Sequence, residues 1–219
     1  MEFEITDNVA ILRFDDGKAN AVGHSFLDQV NEGLDRAEKE AGAVILRGRD
    51  GIFSAGFDLK ELKKGPEEAT ALARRGFEFL TRLYSYPLPV VAACSGHGIA
   101  LGAFILLAAD TRIGVTGDFK ISLPETAIGM DIPPLLMGLT RSRLSPLHLT
   151  RAAIQSENYS PEGAVAAGFL DEVVDPAELD ERALAAAVKL AALPAKYYAK
   201  NKMSARRETI EAMQASLAE

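Results

Sequence analysis

Residues Pro89 to Asp110 read PVVAACSGHGIALGAFILLAAD: a valine-rich apolar run, three glycines at 96, 98 and 102, then a second apolar run that meets its first charge at Asp110. The pattern predicts a buried strand, a glycine turn and a buried helix. Backbone N–H groups at a helix start are unpaired, and glycine lets another group come close to them, so the turn is a candidate anion cradle. The competing reading is that the glycines only let helix and strand pack tightly. A dinucleotide site does not fit: the third glycine falls one residue late for G-x-G-x-x-G, and no Walker lysine follows.

The strand-turn-helix unit recurs in both directions. Upstream, Glu2 to Thr6 and Asn8 to Phe14 alternate as a hairpin would, and Asp15-Asp16-Gly17-Lys18 is a polar turn. Phe26, Val30, Leu34 and Ala37 then repeat at helical spacing before the apolar strand AVILRG. A long helix from about Glu67 to Tyr86 leads into Pro89–Cys94, and Thr111 to Val115 is a further strand. Such alternation implies βαβ units and a largely parallel sheet buried on both faces. After about Leu144 the chain reads as helical, with Pro161-Glu162-Gly163-Ala164 starting one helix and a last amphipathic stretch expected to pack outside the sheet or on a neighbouring subunit.

The whole sequence sets bounds on the class. Its 219 residues suffice for one full core. A net charge of -7 argues against a nucleic-acid surface. The single Cys94 excludes an internal disulfide, which suits a reducing, cytoplasmic setting. EFEIT follows Met1 with no basic lead into an apolar segment, so no secretion signal is expected, and Gly98 to Ala109 is too short to span a bilayer.

A second glycine turn makes the first informative. Residues 53 to 62 read FSAGFDLKEL, where Gly56 allows a sharp turn after the Ala43 to Arg47 strand and Asp58 to Leu62 forms a short helix. Two turns of this kind can aim N–H groups at one carbonyl oxygen, which constitutes an oxyanion hole. In this order, FSAGFDLKEL, PVVAACSGHGIALGAFILLAAD, ISLPETAIGM and SPEGAVAAGFLDEVV, the chain resembles the crotonase superfamily, also called the enoyl-CoA hydratase/isomerase family, over nearly its whole length.

The resemblance implies an α/β fold, a spiral of ββα units over residues 1–144 carrying a CoA-thioester site, and a helical region over 145–219 used in oligomerisation. It implies an enzyme that acts on acyl-CoA or enoyl-CoA thioesters through an enolate, as a homotrimer or dimer of trimers. No separate cofactor, metal, nucleic acid or membrane is implied, coenzyme A being part of the substrate. The oxyanion donors would be the N–H groups of Phe57 and Leu101. Ala55, Phe57, Asp58, Leu59, Lys60, Gly98 and Leu101 would line the CoA thioester, although Asp58 reads equally as a helix cap and Lys60 as a solvated lysine.

The family's hydratases carry two glutamates, one inside the helix after the second turn and one in a Pro-Glu step about twenty residues on. Here the Pro-Glu step is Pro124-Glu125, but the first position is Phe104, and Gly98 to Ala109 contains no ionisable side chain. A single carboxylate beside an enolate can carry a proton between two carbons, so Glu125 is the expected acid/base of a Δ3-Δ2-enoyl-CoA isomerase. Asp131, in GMDIPP, is either a turn former or a second carboxylate, and the latter would make a hydratase. Loss of the first glutamate also leaves a catalytically idle acyl-CoA binder open. His24, His97 and His148 show no metal-ligand spacing with the carboxylates.

Overall fold

The computed structural model describes residues 1–218. Strands β1 (Glu2–Thr6) and β2 (Val9–Arg13) form the hairpin, turned by Asp7 and Asn8 at φ 51° and 65°, the double positive-φ turn whose twist matches that of paired strands. Helix α1 (His24–Glu40) returns the chain to β3 (Ala43–Arg47), which runs parallel to β2. Of the stripe expected from the spacing, Val30, Leu34 and Ala37 are buried and Phe26 only partly so, with its neighbour Leu27 completing the buried face.

Three circuits then repeat one scheme. After β3 comes β4 (Gly51–Ser54), with helices α2 (Leu59–Leu62) and α3 (Pro66–Tyr84) leading to β5 (Val90–Cys94). Next come β6 (Gly96–Ile99), α4 (Leu101–Ala108) and β7 (Thr111–Val115), then β8 (Ile121–Ser122). Strands β3, β5 and β7 enter a sheet ordered β1-β2-β3-β5-β7-β9, while β4, β6 and β8 form a second, wholly parallel sheet. Each circuit therefore gives one strand to each sheet before a helix, which makes a ββα spiral. The chain ends with α5 (Pro134–Arg143), α6 (Pro146–Leu149), α7 (Pro161–Ala167), β9 (Glu172–Val174), α8 (Leu179–Ala191) and α9 (Ala195–Ala218).

Strand alternation divides the core in two. Ala10, Leu12, Val44, Leu46, Val90 and Ala92 face the helices of the spiral, whereas Val9, Ile11, Ala43, Ile45, Val91 and Ala93 face α8 through Leu179, Ala183 and Ala187. Cys94 lies in the first layer, where burial pushes its thiol up to about 12 and leaves it unreactive. Among the described residues no helix is long and apolar enough to cross a membrane.

Two readings of the sequence change. The run Gly96–Ile99, read as a turn, is a strand, and Glu172–Val174, inside the stretch read as helical, pairs with β7 at the sheet edge. The last helix also packs on its own chain: α9 lies along α3 and α5, with Lys202, Ile210 and Met213 buried.

A polar latch holds it there. Lys202 Nζ donates to Tyr86 O and Leu88 O, each at 2.8 Å, and to Asp110 Oδ2 at 2.6 Å, while Arg206 Nη2 meets Asp110 Oδ1 at 2.8 Å. Removing the ammonium would strand two carbonyls and half a buried ion pair, so Lys202→Met should lower unfolding stability by about 3 kcal/mol. Urea denaturation measures it; a midpoint like that of the wild type would mean that Arg206 and the apolar contacts hold α9 without the ammonium.

Candidate active site

The first turn leaves β4 through Ser54, Ala55 and Gly56. Its donors are nearly all in use: Ala55 N bonds Ala19 O at 3.0 Å, Gly56 N bonds Ser54 Oγ at 3.2 Å, and Asp58 N bonds Val22 O at 3.0 Å. Among the described residues, the N–H of Phe57 has no acceptor in the protein. The second turn repeats this. Gly98 N and Ala100 N bond Lys120 O and Ser122 O, and Ala103 N and Phe104 N both bond Ala100 O, which leaves Leu101 N and Gly102 N without a protein acceptor.

Close packing brings the two turns together. Gly56 has φ 94°, and a Cβ there would stand 2.9 Å from the Ala100 Cβ and 3.3 Å from Leu101 N. Gly102 lies against the Ser54 carbonyl and Gly96 against the Gly51 backbone, so neither position has room for a side chain. Both glycines serve close packing, and the unpaired donors are the N–H of Leu101, which lies between them, and that of Gly102 itself. Gly98 is buried against Leu106. The Phe57 and Leu101 side chains both approach Gly76 of α3: a Cβ there would fall 2.6 Å from the Phe57 ring and 3.4 Å from Leu101 Cδ2.

Residues with no obvious chemical signature hold the first turn. Asn20, buried and at φ 49°, donates to Phe14 O, Ile52 O and Phe53 O, and its own carbonyl accepts from Ser54 Oγ at 2.8 Å. Their only sequence signal is a polar asparagine ending the DDGKAN turn. Asp58 caps α2 by accepting from Lys60 N at 2.8 Å. Leu59, Ala55 and Lys60 are exposed beside it, and Lys60 makes no ion pair among the described residues.

Glu125 precedes a single 3-10 turn, Thr126–Ile128, and is 7% exposed. Among the described residues its Oε2 has no hydrogen-bond partner. Burial holds the carboxyl above the ordinary 4.5, opposed by a hydrogen bond from its own N–H. A buried carboxylate oxygen left unpaired marks a position where stability has been given up, which is common where a proton is to be moved. Asp131 lies on the exposed face of the following loop and forms no hydrogen bond or ion pair among the described residues. Phe104 is fully buried in α4, every residue of which is buried.

The histidines fall elsewhere. His97 Nδ1 accepts from Lys120 N at 3.0 Å, and its ring meets Phe119 edge-on. His148 Nδ1 lies 3.4 Å from the Tyr159 hydroxyl. His24, Glu61 and Glu68 converge in a group that sequence spacing does not reveal. Arg75 Nη1 lies 2.7 Å from His24 Nδ1, and a guanidinium only donates, so Nδ1 accepts and Nε2 carries the hydrogen, 3.3 Å from Glu68 Oε1. A metal would need that Nε2 lone pair. The cluster is a latch between α1, α2 and α3.

A family model described as enoyl-CoA hydratase/isomerase matches residues 4–218. A probable enoyl-CoA hydratase of Bacillus subtilis is 34% identical over 194 residues, covering 84% of this chain and 72% of that protein. Among solved structures, an enoyl-CoA hydratase from Mycobacterium ulcerans superposes with a TM-score of 0.95 at 38% identity, covering 99% of this chain and 96% of that one. The human mitochondrial Δ3-Δ2-enoyl-CoA isomerase superposes with a TM-score of 0.91 at 26% identity, covering 99% and 90%.

Ala100 gives this site a measurable strain. Its φ 51° and ψ -124° are glycine angles, and they turn the chain so that the Leu101 amide leaves the β6–β8 ladder. Ala100→Gly should therefore raise stability by about 1 kcal/mol, read by chemical denaturation. An unchanged or lower midpoint would show that the surrounding packing leaves no strain to relieve.

Proposed function

This chain belongs to the enoyl-CoA hydratase/isomerase family, a family of enzymes, and from that premise we propose that it moves the double bond of an enoyl-CoA thioester from the 3 to the 2 position. The observation that carries this reading is one buried, unpaired carboxylate, Glu125, together with a helix α4 that offers no ionisable side chain.

The thioester oxygen lies between the Phe57 and Leu101 N–H groups. Glu125 takes a proton from C2, the electron pair delocalises through the thioester carbonyl and the C3–C4 double bond, and the oxygen carries the charge. The same carboxyl returns the proton to C4, and the double bond forms between C2 and C3 with no net loss of atoms. Backbone donors suit the oxygen because their direction is fixed before the charge develops; one such donor contributes roughly 3 kcal/mol to the transition state. Hydration is the second reading, supported by the similarity to the probable enoyl-CoA hydratase of Bacillus subtilis. It needs a second group to orient and deprotonate water, and the remaining carboxylate of the motif, Asp131, is exposed. An idle acyl-CoA binder is the third.

Assays with Δ3- and Δ2-enoyl-CoA on the wild type, Glu125→Gln and Asp131→Asn separate these readings. We expect Δ3 substrate to be isomerised, Glu125→Gln to slow it by about 10²–10⁴-fold, and Asp131→Asn to leave it unchanged. Hydration lost in both variants would favour the hydratase, and bound thioester with no turnover would favour the binder.

The raised Glu125 pKa adds a pH signature. Turnover should fall as pH drops through a value above 4.5, because the base must be ionised. The folded carboxyl holds its proton more tightly than the unfolded one, so its contribution to stability is complete below 4.5 and is lost as pH rises through the folded value. Relative to the wild type, Glu125→Gln should therefore gain stability from acid to neutral pH, and parallel stability curves would count against an ionisable buried carboxyl. A homotrimer or dimer of trimers is proposed on the family resemblance, with exposed Leu147 and Ile154 available to a neighbour. Sedimentation velocity should show no monomer at micromolar concentration.

A further inference from the structure

Among the described residues, two buried side-chain polar atoms lack a hydrogen-bond partner, Glu125 Oε2 and Arg143 Nε. The first belongs to the candidate active site, and the second has no place in it. Arg143 ends α5 and lines a cleft of about 640 Å³ with Asp110, at the end of α4 away from Leu101. An α4 of 8 residues puts that cleft roughly 12 Å from the oxyanion turn.

The charges in the cleft do not balance. Lys202 and Arg206 share Asp110, the one carboxylate in the lining, and nothing remains for Arg143. The next cation, Arg112, is held by Asp171. Arg143 has a single acceptor, Ala109 O at 2.6 Å from Nη2. Burial, then repulsion from Arg112 and Arg206, pulls its guanidinium down to about 10. In a chain of net charge -7, this is a concentration of uncompensated positive charge. The rim is of another character: Leu193 and Tyr197 line the cleft, 46% and 63% exposed.

We propose that this cleft binds a small organic phosphate, with the phosphoryl group between Arg143 and Arg206 and an apolar or aromatic body against Tyr197 and Leu193. A phosphoryl group brings two negative charges and three acceptor oxygens, enough to reach two guanidinium groups at once, which a carboxylate does less well. The cleft volume is that of a metabolite site and exceeds what inorganic phosphate would fill. Binding here is independent of the thioester reaction proposed above.

Calorimetric titration of the full chain in chloride buffer, with phenyl phosphate and inorganic phosphate as probes, tests the proposal. Phenyl phosphate should bind below about 1 mM and more tightly than inorganic phosphate. Arg143→Gln should weaken both by about tenfold or more, and Tyr197→Ala should weaken phenyl phosphate alone. Absence of binding at about 10 mM would overturn the proposal. So would an affinity for phenyl phosphate that Arg143→Gln leaves unchanged, since Arg143 would then only cap the end of α4. If Arg143→Gln fails to fold, Tyr197→Ala decides, and an unaltered phenyl phosphate affinity in that variant overturns the proposal.

Discussion

The Ser54 carbonyl lies directly against the Cα of Gly102, at a separation that no side chain could share. This contact of backbone on backbone sets how near the end of β4 comes to the start of α4. With Gly96 similarly placed on Gly51, it seats the three-stranded sheet so that the Phe57 and Leu101 turns adjoin. The approach is fixed from behind by Asn20, whose amide gathers three carbonyls and whose own carbonyl receives the Ser54 hydroxyl. The direction of the Phe57 and Leu101 amides thus depends on hydrogen bonds made by an N-terminal loop.

Elements whose apolar pattern is long and periodic were legible in the sequence. Helix His24–Glu40 and strands Ala43–Arg47 and Thr111–Val115 occur where the pattern puts them, because each buries one stripe or both faces in a single layer. The second sheet was not legible by pattern. Its strands have four, four and two residues, the first two carry glycines at pairing positions, and each owes its conformation to a partner distant in sequence, Gly51 pairing with Gly96 and Gly98 with Ile121. Glu172–Val174 was hidden for a similar reason, being a three-residue edge strand inside a helical region. In the candidate site, Phe57, Leu101 and Glu125 were reached through motif order. Asn20 and the His24 latch were not, since their roles arise from spatial contacts across distant segments.

On the proposed reading, the burial that raises Glu125 and the exclusion of water from the two amides would serve the same step. Water around α4 would screen the N–H dipoles and stabilise the ionised carboxylate, whereas a dry helix leaves the dipoles strong and the proton more firmly held. On the proposed reading both effects act in one direction. A carboxyl with a raised pKa is a stronger base when ionised and a ready donor once it has taken a proton, which suits a group that must do both in one turnover. The unpaired Oε2 is the structural cost of that arrangement.

Phe104 makes the same point from the opposite side. Its position lies within a helix that is buried on every face, packed between the second sheet and helices α3 and α5. A carboxylate there would put an uncompensated charge inside a fully buried helix, which is costly in a dry site. Filling the position with an apolar ring removes that cost, keeps α4 closely packed and, on the proposed reading, leaves Glu125 as the one proton carrier. An enolate whose proton goes from carbon to carbon can use such a site. A reaction that must also generate hydroxide would need its second group from a loop, where solvent weakens the electrostatic coupling that a buried pair would have.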